Sequence, residues 1–128
     1  MLAPASVYGA LYRSPSGRVR VYGRDDGERL GAAELGQGLG ERATLVQFSS
    51  AFCAPCRATR RILTEVATMV PGVAHVEIDA EQRLELVRAL GILKTPTVLV
   101  LDADGRIVRR ATGQPRKADV IAALGKAV

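Results

Sequence analysis

Between Arg18 and Val128 the chain switches repeatedly between short β-type runs and helical periodicity, and this alternation limits its fold more than any other feature. Arg18–Tyr22 alternates polar and apolar residues as a half-buried strand, and Asp25-Asp26-Gly27 carries turn chemistry. Ala32–Leu39 reads as a short helix weakened by Gly36 and Gly38, and Thr44–Phe48 as a buried strand. Arg57–Met69 has Ile62, Leu63 and Val66 at helical spacing, and Pro71-Gly72 stops it. Val73–Ile78 is a further strand, and Ala80–Leu90 a helix with Leu84, Val87 and Leu90 on one face. Thr97–Leu101 is wholly apolar, which places it centrally in a sheet. Asp102-Ala-Asp-Gly105 signals a hairpin to Ile107–Thr112, and Arg116–Val128 closes the chain with a helix carrying Val120, Ile121 and Leu124. The order is β-α-β-α-β-α-β-β-α, an α/β sheet covered on both faces with an antiparallel hairpin at one edge.

The 128 residues fit one domain: 18–128 as that domain, 1–17 as an N-terminal arm, with the remnant of a membrane anchor as the competing reading. No run reaches the length of a membrane span, so the chain as written reads as soluble. Hydrophobic residues at 48% and charged residues at 24% exclude disordered and fibrous classes. The net charge of +5 comes from basic residues scattered singly and in pairs, and aromatics are only 4%, so nucleic acid is not an expected partner. One His and two Cys cannot furnish the four ligands of a structural zinc site, so no metal is expected.

The two cysteines, Cys53 and Cys56, follow the Thr44–Phe48 strand and open a helix. A bridge between residues so close closes almost no loop and adds little stability, so the pair reads as reactive rather than structural. Ligands of such sheets bind beyond the carboxyl ends of the strands, where this pair lies. At a helix N-terminus unsatisfied N–H groups and the dipole favour a thiolate on Cys53. Pro55 falls in the first helical turn, where a missing N–H costs nothing, and Arg57 adds a positive charge that favours the thiolate further.

With Phe52-Cys-Ala-Pro-Cys56, Glu77-Ile-Asp79, Gly91-Ile-Leu-Lys-Thr-Pro-Thr97, the Asp-Gly hairpin and Gly113, the chain resembles the thioredoxin family, and thioredoxin-like oxidoreductases of actinobacterial type in particular. The resemblance implies a thioredoxin fold, a central mixed sheet of about five strands flanked by about four helices. It implies that Cys53 is the nucleophile, Cys56 the resolving thiol, and Cys53-Cys56 a redox-active disulfide. It makes Pro96 a cis-proline facing the pair, and Phe52, Ala54, Pro55, Thr95 and Pro96 the substrate-binding surface. Three positions depart from the family pattern: Phe52 where Trp is common, Ala54 where Gly is common, and Gln47 where a buried Asp relays a proton for the resolving thiol. Gln47 cannot titrate, and a satisfied core amide is its competing reading. Gln47 and Arg57 are the expected tuners of thiol acidity. His75 occupies a position where Lys is frequent and reads as a structural or surface residue; Asp79 reads as a helix cap, and Lys94, Arg60-Arg61 and Arg109-Arg110 as solvated charges.

The implied activity is reduction of protein disulfides by dithiol–disulfide exchange, without a bound cofactor. The implied partners are protein disulfides and a reductase or membrane electron donor, acting on a monomer. A membrane partner is expected only with an upstream anchor, which would make the chain an envelope redox protein of the same fold; cytoplasm and cell envelope are both open. A scaffold without redox work is the reading from a different class, resting on Gln47 alone.

Overall fold

The computed structural model describes residues 29–128; the expected strand at 18–22, the turn at 25–27 and the arm at 1–17 lie outside them. Four strands, β1 (Ala43–Ser49), β2 (Val73–Asp79), β3 (Thr97–Asp102) and β4 (Ile107–Thr112), form one mixed sheet in the order β2-β1-β3-β4. β1 runs parallel to β2 and antiparallel to β3, and β3 and β4 form the expected antiparallel hairpin. Every residue of β1 is buried, as a central strand covered on both faces requires.

Alternation along the strands divides the core into two layers. Val46, Phe48, Val76, Ile78, Leu99 and Leu101 face α1 (Ala32–Leu35) and α3 (Leu84–Leu90). Ala43, Leu45, Val98 and Val100 face α2 (Ala54–Met69) and α4 (Lys117–Ala127), which contribute Leu63, Val66, Val120 and Leu124. Each fully buried aliphatic of this kind stabilises the fold by about 1.5–3 kcal/mol before chain entropy is counted.

Three helices differ from expectation, each for a local reason. α1 ends at Leu35 rather than Leu39 because Gly36 takes a left-handed φ of 80° and its N–H turns back to Ala32 O. The expected helix at 80–90 is broken: Asp79 caps a single 3-10 turn at Ala80–Gln82, and α3 begins only at Leu84. The break rotates the buried face onto Leu86 and Leu90 and leaves Leu84 exposed. In α4 the buried residues are Val120, Leu124 and Ala127, while Ile121 points outward.

The hairpin is built by Asp102, whose carboxylate accepts from the N–H groups of Asp104 and Arg106, both at 2.9 Å. Gly105 sits at φ 85°, and a Cβ there would collide with Leu30 O, so this glycine lets the 30s segment dock on the hairpin. Arg110, exposed as expected, also reaches from β4 to donate to Leu90 O at 2.6 Å, capping the C-terminus of α3. No helix among the described residues is long and apolar enough to cross a membrane.

Candidate active site

β1 ends at Ser49, and the chain turns through Ser50–Phe52 into α2, whose N-cap is Cys53. The helix opens at Ala54 with Pro55 in its first turn, as expected. Cys53 and Cys56 are joined by a disulfide, with Cα atoms 5.2 Å apart. Cys53 is partly exposed, and Cys56 is buried at 1% exposure. The Cys56 N–H donates to Cys53 Sγ at 3.2 Å, and the Arg57 N–H donates to Cys53 O at 3.3 Å. When the disulfide opens, the first of these donors faces a Cys53 thiolate and favours it over the thiol.

The Thr95-Pro96 bond is cis. Thr95 Oγ1 lies 4.0 Å from Cys53 Sγ and 2.9 Å from Ser50 Oγ, so the proline loop is seated directly against the cysteine turn. Gly113 N–H donates to Pro96 O at 2.8 Å and holds the loop from the far side. Phe52 is fully exposed and adopts φ 60°. A left-handed backbone at a bulky residue costs roughly 1–2 kcal/mol, and here it turns the ring out beside Cys53. Ala54 and Pro55 are exposed next to it. On the Thr95 side an open groove of about 260 Å³ is walled by Leu84, Val87, Ile92 and Leu93. Leu93 is 95% exposed and was not singled out by sequence reasoning; nothing in its spacing distinguishes it from a core residue.

Beneath the cysteines lies a polar network. Gln47 is fully buried and donates from Nε2 to Cys56 O at 2.8 Å and to Ser49 Oγ at 2.9 Å. Gln47 is thus a satisfied core amide that also ties β1 to the start of α2. Its Oε1 lies 3.2 Å from Nε2 of His75, whose Nδ1 is 3.3 Å from Thr64 Oγ1. Burial pushes the His75 imidazole below its ordinary value; Glu77 opposes this and Arg60 adds to it. Arg57, by contrast, is exposed, and among the described residues no side-chain contact joins it to the sulfurs. Asp79 caps the 3-10 turn, accepting from Glu81 N–H at 2.9 Å, and Lys94 is exposed, both as expected.

Arg60, read from sequence as solvated, grips Glu77 through two parallel hydrogen bonds of 2.6 and 2.7 Å. The Arg60 hydrogen bond holds the Glu77 carboxyl below its ordinary value, partly opposed by burial and assisted by Ser49. A lowered carboxylate stabilises the fold above its ordinary value, and that stability is lost as pH falls through the lowered one. The pair is largely exposed, so Glu77→Gln is expected to cost well under about 1 kcal/mol near neutrality. Urea unfolding of both proteins across acidic pH checks this: the difference should vanish at the acid end, and a constant difference would locate the effect elsewhere.

Comparison with known proteins agrees with this architecture. The family model described as Thioredoxin matches residues 33–126. Thioredoxin of Mycobacterium tuberculosis is 30% identical over 88 residues, covering 68% of this chain and 75% of that protein. Thioredoxin domain-containing protein 2 of Homo sapiens is 36% identical over 58 residues, covering 45% of this chain. The chain spans only 10% of that human protein's length and 44% of that of an Arabidopsis thaliana relative. Among solved structures, a mutant thioredoxin from Halobacterium salinarum superposes with a TM-score of 0.62 at 21% identity, covering 68% of this chain and 75% of the other. That likeness carries the fold, and the family model, covering well over half of the sequence, carries the assignment: the chain belongs to the thioredoxin family.

Proposed function

We propose that this chain is a thiol–disulfide oxidoreductase that reduces protein disulfides by dithiol–disulfide exchange. One observation carries the reading: a partly exposed Cys53 at the N-cap of α2, with the Cys56 N–H on its sulfur and the cis Thr95-Pro96 loop against it. In the reduced protein the Cys53 thiolate attacks one sulfur of the partner disulfide, and the other leaves as a thiolate that takes a proton. Cys56 then loses its proton and attacks Cys53 Sγ, releasing the partner's second thiol and closing the Cys53-Cys56 disulfide. Two electrons pass to the partner, so an external dithiol donor must reopen the disulfide after each cycle; a reductase is the class of partner that supplies it.

The docking surface is formed by the exposed Phe52, Ala54 and Pro55 with the half-buried Thr95, while Pro96, expected to be part of it, is buried behind Thr95 and shapes the loop from beneath. The groove beside Thr95, walled by Leu84, Val87, Ile92 and Leu93, extends this surface. A strand-like partner segment laid along Thr95 would bring its cysteine to Cys53. Equilibration in defined thiol–disulfide buffers, paired with dithiol-driven reduction of insulin, tests the proposal. A potential near roughly −270 mV with insulin reduction supports a reductant. A potential near roughly −120 mV would reverse the direction of electron flow. Failure to form the intramolecular disulfide would leave only a binding module.

A further inference from the structure

The hydrogen bonds around Gln47 fix the state of the His75 ring. Cys56 O can only accept, so the Gln47 atom facing it is the amide nitrogen, and Oε1 faces His75. Oε1 also only accepts, so His75 Nε2 carries a hydrogen. In the neutral ring Nδ1 is then the acceptor, and the Thr64 hydroxyl donates to it. Protonation at Nδ1 requires only that the Thr64 hydroxyl turn and accept; no other partner is lost. The charged groups facing the ring are Glu77 on its own strand and Arg60 on α2, while Gln47 from β1 and Thr64 from α2 present neutral dipoles. Among the described residues, His75 is the titratable side chain bonded to the amide that holds Cys56.

Resting on the redox reading above, we propose that His75 is a positioning residue for the cysteine pair: it fixes Gln47 against Cys56, and its Nδ1 binds a proton more readily once the disulfide is reduced. The balance is simple. An external dithiol delivers two electrons and is itself oxidised to a disulfide; the Cys53-Cys56 bond breaks, and Cys56 Sγ takes one proton. Cys53 Sγ remains a thiolate held by the N-terminus of α2. The second proton released by the donor dithiol goes to solvent, and Nδ1 of His75, on the Thr64 side of the ring, takes a proton from solvent more readily because the reduced pair carries the negative charge of the Cys53 thiolate. A residue type that cannot titrate at position 47 is thereby coupled to one that can, one strand away.

The chain has a single His, so its imidazole Cε1–H resonance is unambiguous in a proton NMR titration. The titration midpoint is expected to rise on reduction by roughly half a unit, less than an opposite charge in direct contact would give. Glu77→Gln should shift both midpoints and keep the difference between them. Cys53→Ser should show no change when reductant is added. His75→Gln retains an N–H donor for Gln47 Oε1 but does not titrate. It should keep the thermal stability while removing the inflection that the wild-type exchange equilibrium shows at the His75 midpoint. Equal midpoints in the two redox states of the wild-type chain would overturn the coupling and leave the oxidoreductase reading intact. A chain that forms no disulfide would overturn both.

Discussion

Cys53→Ser is expected to lower dithiol-driven reduction of insulin by at least about a thousandfold, the scale on which a covalent nucleophile is lost. Cys56→Ser is expected to stop the cycle at a different point. Cys53 still has the Cys56-position N–H on its sulfur and still attacks, because that donor is backbone. Release fails, because the group that must displace the partner is gone. The buried position of Cys56 makes the assignment directional: at 1% exposure it cannot meet a protein partner first, yet it lies one helical turn from Cys53. A covalent adduct of Cys56→Ser with the partner should therefore accumulate on non-reducing gels, and Cys53→Ser should give none. Neither change should cost much stability, since the bridge closes a loop of only a few residues. Trapping by Cys53→Ser would reverse the roles, and full turnover by Cys56→Ser would show that Cys56 is not needed for release.

The strands and the cysteine turn were legible in the sequence because each leaves a local signature. β1 and β3 are buried on both faces, so they carry dense β-branched and apolar residues between turn signals, and the Asp-Gly turn names its own hairpin. What was not legible depends on register. Gln47 and His75 are 28 residues apart, and they meet because β1 pairs parallel with β2 so that Leu45 stands opposite His75 and Gln47 opposite Glu77. No periodicity encodes that offset, and His75 therefore read as an ordinary surface or structural residue. The same register brings Glu77 to Arg60, across from α2. The phase of α3 was lost for a smaller reason: a single 3-10 turn after Asp79 shifts the helix start to Leu84 and exchanges Leu84 for Leu86 in the core. The site was thus readable in its reactive atoms and opaque in the side chains that hold them from below.

Leu63→Ala tests how far that support can be weakened before the chemistry suffers. Cys56, Thr59, Leu63 and Val66 form the buried stripe of α2, so the helix that presents the cysteines is anchored two turns beyond them. Leu63 is fully buried in the layer that holds Leu45, Val66 and the apolar residues of α4. Truncation there removes the transfer free energy of the lost carbons and opens a cavity, together about 3 kcal/mol. For a domain of this size that lowers the melting temperature by about 10–15 °C. The hydrogen bonds that set the site, from Cys56 N–H to Cys53 Sγ and from Gln47 to Cys56 O, do not involve Leu63. The rate per folded molecule at 25 °C should therefore stay close to wild type, while the activity lost on heating should follow the unfolding curve. An unchanged melting temperature would mean that α2 is not anchored at this stripe. A fall in rate well below the unfolding transition would mean that its docking and the geometry at Cys53 are one mechanical unit rather than two.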